Sequence, residues 1–114
     1  MKPTVVKVQG DPHRVTSGGF KVWELHKDLT ASRDFFIAYT IVPPGAREGP
    51  HTRDSEEILL YLEGTSVVKV EGGKTYRMGP NSLISIPPGI THSHTNSGDK
   101  PSIQVYIRAE GLKR

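Results

Sequence analysis

The sequence predicts an all-β domain, because short segments rich in β-branched and aromatic residues alternate with turn residues along the chain. The 12 glycines and 9 prolines lie mostly between these apolar segments. No window shows a helical hydrophobic period that lasts three turns. Many short strands at this spacing are typical of a β-sandwich or a β-barrel. The length of 114 residues indicates one domain that covers residues 1–114.

The candidate strands follow one another from the N-terminus to the C-terminus, and turn residues separate most of them. They are Val5–Val8, Phe20–His26, Phe35–Val42, Ile58–Leu62, Ser66–Val70, Thr75–Met78, Leu83–Ile86, Thr91–Asn96 and Ile103–Arg108. We interpret Lys27–Asp34 as a loop, although it is long enough for one helical turn. The sequence contains no internal repeat and no low-complexity tract.

The candidate strand Ile58–Leu62 is apolar at every position, which is typical of a strand that is buried on both faces. If Leu59 and Tyr61 face the interior, the other three residues face outward and need a cover in so small a domain. We expect a second copy of the chain to supply it, which makes the protein a homodimer. The alternative cover is the chain's own N-terminal strands.

Composition and charge exclude several functional classes. The net charge of +3 comes from 15 basic and 12 acidic residues that are scattered, so we expect no nucleic-acid partner. Cysteine is absent, which excludes disulfides and thiolate chemistry. Residues 1–10 lack the apolar stretch of a signal peptide, and no run approaches the ~18 apolar residues of a membrane span. We therefore expect a cytoplasmic protein with no membrane partner.

Histidines and a carboxylate lie in two short segments at alternate positions. His51, Arg53 and Glu57 share one parity, so in an extended chain without a bulge they would face one pocket. His92 and His94 repeat this spacing farther along the chain. Two imidazoles and a carboxylate from separate strands suit a divalent transition metal. We therefore expect His51, Glu57 and His92 to converge.

The spacing around these residues forms two ordered motifs. The first motif, at about 45–64, contains Gly45, His51, Arg53, Glu57 and Gly64. The second motif, at about 81–96, contains Asn81, Pro87, Gly89, His92 and Asn96. Together they resemble the motifs of the cupin superfamily, G-x5-H-x-H-x3-E-x6-G and G-x5-P-x-G-x2-H-x3-N. The resemblance implies a double-stranded β-helix, or jelly-roll barrel, with a pocket inside.

The resemblance to cupins also implies a metal centre. The motif residues that usually hold one metal ion in that family correspond here to His51, Glu57 and His92. The implied cofactor is one divalent transition metal, with iron, manganese, nickel, zinc and copper as the candidates. Families that this chain resembles include dioxygenases, isomerases and lyases, so the resemblance implies a protein that acts on or binds a small anionic molecule, with an enzyme of one of these types as one hypothesis.

Two positions depart from the cupin motifs. Asn81 replaces a glycine, which is a mild change because asparagine tolerates the left-handed backbone conformation. Arg53 replaces the second histidine, and a guanidinium has no lone pair to offer a metal. Arg53 therefore has three alternative roles. It anchors a substrate anion beside a metal, it pairs with Glu57 or Glu56 in a metal-free pocket, or it turns to solvent.

Further residues are candidates for the same pocket. His94 is a candidate fourth ligand or a catalytic general base, and the alternative is a hydrogen-bonded wall. Arg53 is a candidate for catalysis or substrate binding, and Tyr61 is a candidate for substrate binding. Tyr61 and Tyr106 are candidates for lining the pocket, with core packing as the alternative. We expect Asn96 to brace a turn rather than contact a metal.

Two functional hypotheses of different classes follow. The first is a metal-dependent cupin enzyme acting on a small anion. The second is a metal-free cupin that binds or senses a small ligand and in which Arg53 replaces the metal's charge. A storage or structural role is a third and weaker interpretation.

Overall fold

The computed structural model describes residues 2–30 and 34–109, which form ten β-strands and one short helix. The strands in chain order are β1 Arg14–Val15, β2 Lys21–Glu24, β3 Phe35–Val42, β4 Arg47–His51, β5 Glu57–Glu63, β6 Ser66–Val70, β7 Thr75–Met78, β8 Ser82–Ile86, β9 His92–Asn96 and β10 Ser102–Ala109. The helix α1 spans His26–Leu29. No helix within these ranges has the length and apolar character needed to cross a membrane.

The strands form two antiparallel sheets. The larger sheet has the order β1-β2-β3-β10-β5-β8, and the smaller sheet has the order β4-β9-β6-β7. Side chains from both sheets pack together in the interior. The chain is thus an all-β jelly-roll barrel, which confirms the predicted fold class.

The interior contains two apolar clusters. The first joins Leu59, Tyr61 and Ile86 of the larger sheet to Val68 and Met78 of the smaller sheet. The second consists of Phe20, Val22, Ala38 and Val42. Tyr106 packs against both clusters. The apolar contacts of the barrel interior therefore fall into two clusters that Tyr106 joins.

The strand β5 has the two-sided pattern that the sequence predicts. Leu59 and Tyr61 are fully buried, while the alternate residues are half-buried on the outward face. On that face, Leu60 is paired with Val105 of β10, and Val105 is paired with Tyr39 of β3. Three adjacent strands therefore present a continuous apolar surface on the outside of the larger sheet.

The boundaries of several elements differ from the prediction. Val5–Val8 forms no strand, and Val5 is 90% exposed, because β propensity alone does not order a segment that has no strand beside it. The predicted strand Phe20–His26 is shorter, since α1 begins at His26. That helix also replaces the first part of the predicted loop Lys27–Asp34, of which residues 31–33 lie outside the described residues.

Two strands were not predicted. The strand β1 has two residues, too few for a pattern. The strand β4 has the sequence REGPH, in which charged residues, glycine and proline hide its strand character. Pairing with β9 nevertheless holds β4 in the smaller sheet. This second omission matters more, because β4 carries a histidine of the site.

Two positions in the motifs need the left-handed backbone. Asn81 has φ 64°, which confirms that asparagine takes over the role of the motif glycine. Gly49 has φ 97°, and a Cβ atom there would lie 2.7 Å from the carbonyl oxygen of His92. Any side chain at Gly49 would therefore push β4 away from β9, the strand that carries two of the site histidines.

Candidate metal centre

The histidines of the site come from two neighbouring strands of the smaller sheet. His51 at the end of β4 is the cross-strand partner of His92 at the start of β9. His94 follows two residues later on β9, and both β9 histidines are buried. Alternate residues of a strand point to the same face, so His92 and His94 both face the interior. One potential ligand nitrogen from each of these histidines lies within 4.8 Å of the others.

Glu57 reaches the histidines from the opposite sheet. It begins β5 of the larger sheet and is 1% exposed. The shared parity of one extended segment does not bring His51 and Glu57 together, because residues 52–56 belong to no strand. The two side chains meet because β4 and β5 lie in sheets that face each other. His51, Glu57 and His92 are thus close together, as the sequence predicts, although for a different geometric reason.

The shortest contacts of the cluster are centred on His92. Its Nε2 lies 3.2 Å from His51 Nε2 and 3.2 Å from Glu57 Oε1. Its Nδ1 lies 2.8 Å from the carbonyl oxygen of Ile90. A proton on Nδ1 that is donated to this carbonyl leaves Nε2 directed at the cluster, as in metal-binding histidines.

The charges in the cluster shift the pKa values of its members in opposite directions. Burial alone would lower the pKa of His92, but the hydrogen bond to Glu57 and the contact with Ile90 raise it above its usual value. Burial would raise the pKa of Glu57, but the hydrogen bond to His92 and the neighbouring Tyr106 hydroxyl lower it. In the absence of a metal, His92 and Glu57 therefore favour an imidazolium–carboxylate pair.

The other two histidines favour the neutral form. Burial, followed by the charges of Arg53 and His92, lowers the pKa of His51. Burial, followed by the charges of His92 and His51, lowers the pKa of His94 to about 3. A neutral imidazole is the form that binds metals. A pKa this low makes His94 a poor general base near neutral pH.

Buried polar atoms are left without partners at this site. Among the described residues, Glu57 Oε2 and His94 Nδ1 are buried and have no hydrogen-bond partner. Such atoms destabilise a fold unless a further group satisfies them. The donor set also has suitable spacing, because two ligand atoms that each lie about 2.1 Å from one ion are roughly 3.0–3.4 Å apart. The residues present therefore fit a divalent transition metal.

Arg53 lies at the opening of a cavity of about 340 Å³ that adjoins the cluster. Its side chain is exposed, and its carbonyl oxygen accepts a hydrogen bond from the backbone N–H of Gly89. His51 and His94 line the same cavity. The ion-pair partner of Glu57 is His92, and within the described ranges no ion pair joins Arg53 to Glu57 or Glu56.

The cavity wall on the larger sheet includes residues that the sequence did not single out. Thr40, Gln104 and Arg108 line it, together with Tyr106. Burial and the neighbouring Glu57 raise the pKa of Tyr106 to about 12, so its hydroxyl keeps its proton. The sequence held one sign of this wall: polar residues alternate with apolar ones in β3 and β10. Such alternation indicates that the inward face of a strand is not purely apolar.

Tyr61 lies elsewhere than its expected role in substrate binding requires. It is fully buried in the first apolar cluster, and burial raises the pKa of its hydroxyl. Tyr61 follows Glu57 by four residues on the same face of β5, which carries it past the cluster and into the core. Tyr106, the second candidate, is the tyrosine that lines the cavity.

A loop from the N-terminal part of the chain covers one side of the cavity. The Glu48 carboxylate accepts hydrogen bonds from the Thr16 hydroxyl and from the backbone N–H of Gly18. A Cβ atom at Gly18 would collide with the backbone of Arg47, so only glycine allows this approach. Asn96 braces a turn as predicted, with Nδ2 donating to the carbonyl oxygens of Val42 and Lys100.

Comparison with known proteins agrees with this architecture. The sequence model of the family described as "Cupin domain" matches residues 38–107. A cupin-like protein from Thermotoga maritima msb8 has a solved structure with a TM-score of 0.78 and 20% identity, which covers 90% of this chain and 80% of that chain. This similarity supports the jelly-roll fold.

Two curated proteins are also similar in sequence. Acireductone dioxygenase of Bacillus pumilus (strain SAFR-032) is 30% identical over 69 residues, which are 57% of this chain and 39% of that protein. Polyketide synthase CurC of Streptomyces cyaneus is 28% identical over 108 residues, 93% of this chain and 69% of that protein. The match to the dioxygenase therefore spans well under half of its length. Because the family model covers more than half of the sequence, the chain belongs to the cupin domain family.

Proposed function

We propose that this cupin binds one divalent transition metal through His51, Glu57 and His92, with His94 as a fourth ligand, and acts on a small anionic molecule. The observation that carries the proposal is the pair of 3.2 Å distances that join His92 Nε2 to His51 Nε2 and to Glu57 Oε1. His92 thus lies at ligand spacing from both residues, and one nitrogen from each of His51, His92 and His94 lies within 4.8 Å of the others, which is suited to one ion. The identity of the metal, among iron, manganese, nickel, zinc and copper, is left to measurement.

His94 is proposed as the substitute for the motif histidine that Arg53 replaces. It is buried, favours the neutral form, and has an unpartnered Nδ1 among the described residues. Because the side chains of His92 and His94 face the same interior, β9 can contribute two histidine ligands, whereas the cupin motifs take one histidine from the second motif and two from the first. The number of imidazoles at the centre would then equal that of the usual cupin motif.

The residues around the centre have separable roles in the proposed activity. A metal at this site would act as a Lewis acid with coordination positions open to substrate. The carbonyl of Ile90 orients His92, and Glu57 offers a negative charge to the ion. Arg53, at the cavity opening, is placed to bind an anionic group of the substrate through its forked donors. The likeness to a dioxygenase makes oxygenase chemistry one candidate reaction type.

A metal-free ligand-binding or sensing module is the second candidate function. It is favoured by the His92–Glu57 contact, which holds a carboxylate beside an imidazole whose pKa is raised, without an ion. In this case the positive charge in the cavity comes from Arg53 and His92. The two candidates differ in metal uptake, which a direct measurement resolves.

The experiment that tests the proposed ligand set compares the wild type with His94→Leu. Leucine has a similar volume and removes the buried, unpartnered Nδ1 of His94, so we expect an unchanged or raised melting temperature without metal. Manganese and zinc affinity, measured by calorimetric titration, should fall at least about tenfold. Unchanged affinity for both metals would show that His94 is not a ligand. His13→Asn, at an exposed histidine, serves as the control.

We also propose that the protein is a homodimer, with the outward apolar face of the larger sheet as the contact surface. Leu60, Val105 and Tyr39 lie side by side on this face. The 90% exposure of Val5 argues against the alternative that an N-terminal strand covers the sheet. A cytoplasmic location and the lack of nucleic-acid partners stay predictions from the sequence.

A further inference from the structure

The cavity wall formed by the larger sheet contains a buried polar pair. Thr40 on β3 and Gln104 on β10 are direct cross-strand partners, and both line the cavity. Each is only 4% exposed. Within the described part of the chain, neither is among the fully enclosed polar side chains that lack a hydrogen-bond partner. Their polar groups therefore belong to the cavity wall, where a ligand or water can reach them.

The amide of Gln104 and the hydroxyl of Thr40 on the cavity wall offer hydrogen bonds to a group inside the cavity. Burying polar groups without partners opposes folding, and native proteins nearly always satisfy them with protein, water or ligand. Apolar residues at 40 and 104 would have packed well beside Ala38 and Val42, which are buried on the same sheet. The polar pair is therefore better explained by a bound ligand that carries hydroxyl or carbonyl oxygens than by the stability of the fold.

The charges of the cavity favour an anion. Its described lining contains Arg14, Arg53 and Arg108, against the single carboxylate of Glu48. That carboxylate accepts hydrogen bonds from Thr16 and Gly18, so it is turned to the N-terminal loop. Arg14 makes an ion pair with Glu24, which lies outside this lining. Arg53 is exposed at the opening and has no ion-pair partner in the described ranges, so it is the guanidinium best placed to meet an incoming carboxylate.

The volume limits the size of the ligand. About 340 Å³ is at the small end of the range for ligand sites, roughly 300–1,000 Å³. It equals the share of about eleven water molecules in the liquid, at about 30 Å³ each. A molecule with about three to six carbons and its oxygens fits this space, whereas an oligomer does not.

We infer that the ligand of this cavity is a small hydroxy- or oxo-carboxylic acid, with its carboxylate at Arg53 and its hydroxyl or carbonyl oxygens at Gln104 and Thr40. This inference deepens the proposed function, on which it rests for the anionic character of the substrate. It adds a second recognition point for the ligand, formed by Gln104 and Thr40 on the larger sheet. Both an amide and a hydroxyl can donate to such oxygens, and both can also accept from a hydroxyl.

The experiment compares matched acids by isothermal titration calorimetry on the protein as purified and on the manganese-loaded protein. Each hydroxy or oxo acid is paired with its deoxy counterpart: lactate and pyruvate with propionate, 2-oxobutyrate with butyrate, and gluconate with hexanoate. Sorbitol supplies hydroxyls without charge. We expect at least one hydroxy or oxo acid to bind about tenfold or more tightly than both its counterpart and sorbitol.

Variants locate the two recognition points. Gln104→Leu and Thr40→Val should each weaken binding of the preferred acid by about tenfold and leave its deoxy counterpart unchanged. Arg53→Gln should weaken both acids. Thr95→Val is the matched control, because Thr95 is on β9 next to His94 and is half-buried outside the cavity lining. Circular dichroism establishes that each variant is folded.

Two results would overturn the inference. Deoxy acids that bind as tightly as every hydroxy and oxo acid would exclude recognition of oxygen atoms, and unchanged affinity in both wall variants would exclude Gln104 and Thr40. Metal content is measured in the same samples by mass spectrometry, so that a failure of the metal centre can be told apart from a failure of acid recognition. A hydroxy acid bound in a protein that takes up no metal would contradict the metal centre and support the recognition of the acid.

Discussion

His92 of the smaller sheet and Glu57 of the larger sheet lie 3.2 Å apart, measured from Nε2 to Oε1. Each residue is 1% exposed. The contact joins the two halves of the barrel at the candidate metal centre. Removing one partner of such a buried pair leaves the other without compensation, which is strongly unfavourable.

Glu57→Gln should therefore affect both stability and metal binding. The neutral amide cannot match a charged His92, so we expect a loss of about 1–3 kcal/mol in the free energy of unfolding without metal. Affinity for manganese or zinc should fall at least about tenfold. Denaturant unfolding and metal titration measure the two effects. The exposed neighbour Glu56 supplies the control variant Glu56→Gln, and equal behaviour of the two variants would remove Glu57 from the site.

Arg53→His tests the role of the guanidinium at the cavity opening. If Arg53 binds the substrate anion, histidine there should leave metal content intact and weaken binding of a small carboxylate by about tenfold or more. Calorimetric titration with metal and with lactate or gluconate measures both properties. A marked rise in metal affinity would instead mean that arginine blocks a fourth ligand position. Arg47→His, on an exposed residue of β4, controls for the loss of positive charge.

The pH dependence of stability has a predicted contribution from Glu24, which lies away from the candidate metal centre. The hydrogen bond from Lys27 lowers the pKa of Glu24 below 4.5; burial opposes this effect, and Arg14 adds to it. A lowered pKa in the folded state stabilises the protein above pH 4.5, and this stabilisation is lost as the pH falls through the lowered pKa.

The variant Glu24→Gln measures this contribution. Because Lys27 and Arg14 are exposed by 63% and 49%, the wild type should exceed the variant by no more than about 1 kcal/mol near neutral pH. Urea unfolding at a series of pH values should show the difference shrinking below about pH 4.5. A difference that grows on acidification would contradict the sign of the effect. Glu63→Gln provides an exposed control on β5.

Leu60→Lys tests the homodimer. Lysine in the middle of the outward apolar face would place a charge in the contact, so the variant should be monomeric in sedimentation experiments at micromolar concentration while the wild type is dimeric. Tyr76→Lys, which replaces an exposed hydrophobic residue on β7 of the smaller sheet, should stay dimeric. A monomeric wild type would contradict both the proposal and the interpretation of Ile58–Leu62.

Strands with an apolar pattern could be predicted from the sequence, and others could not. Phe35–Val42, Ser66–Val70 and Thr75–Met78 have the bounds that were predicted, because β-branched and aromatic residues mark them clearly. The strand β4 depends on its neighbour β9 rather than on its own residues. Conversely, Val5–Val8 has the composition of a strand but pairs with no strand in the described structure.

The candidate site, too, could be predicted only in part from the sequence. Motif spacing was enough to select His51, Glu57 and His92, and the structure brings them together. Thr40 and Gln104 are 64 positions apart in sequence numbering (104 minus 40), and only the register of β3 on β10 makes them neighbours. The sequence shows that a strand position is polar but not which residue lies beside it. Only the fold therefore reveals which polar residues form the cavity wall together.

The metal content of protein purified without a histidine tag tests the central claim most directly. Mass spectrometry before and after titration with iron, manganese, nickel, zinc and copper gives the number of ions bound per chain. We predict about one equivalent of one of these metals, held by His51, Glu57, His92 and His94. Less than about 0.1 equivalent of every metal, with no uptake on titration, would contradict the metal centre and favour the metal-free ligand-binding module.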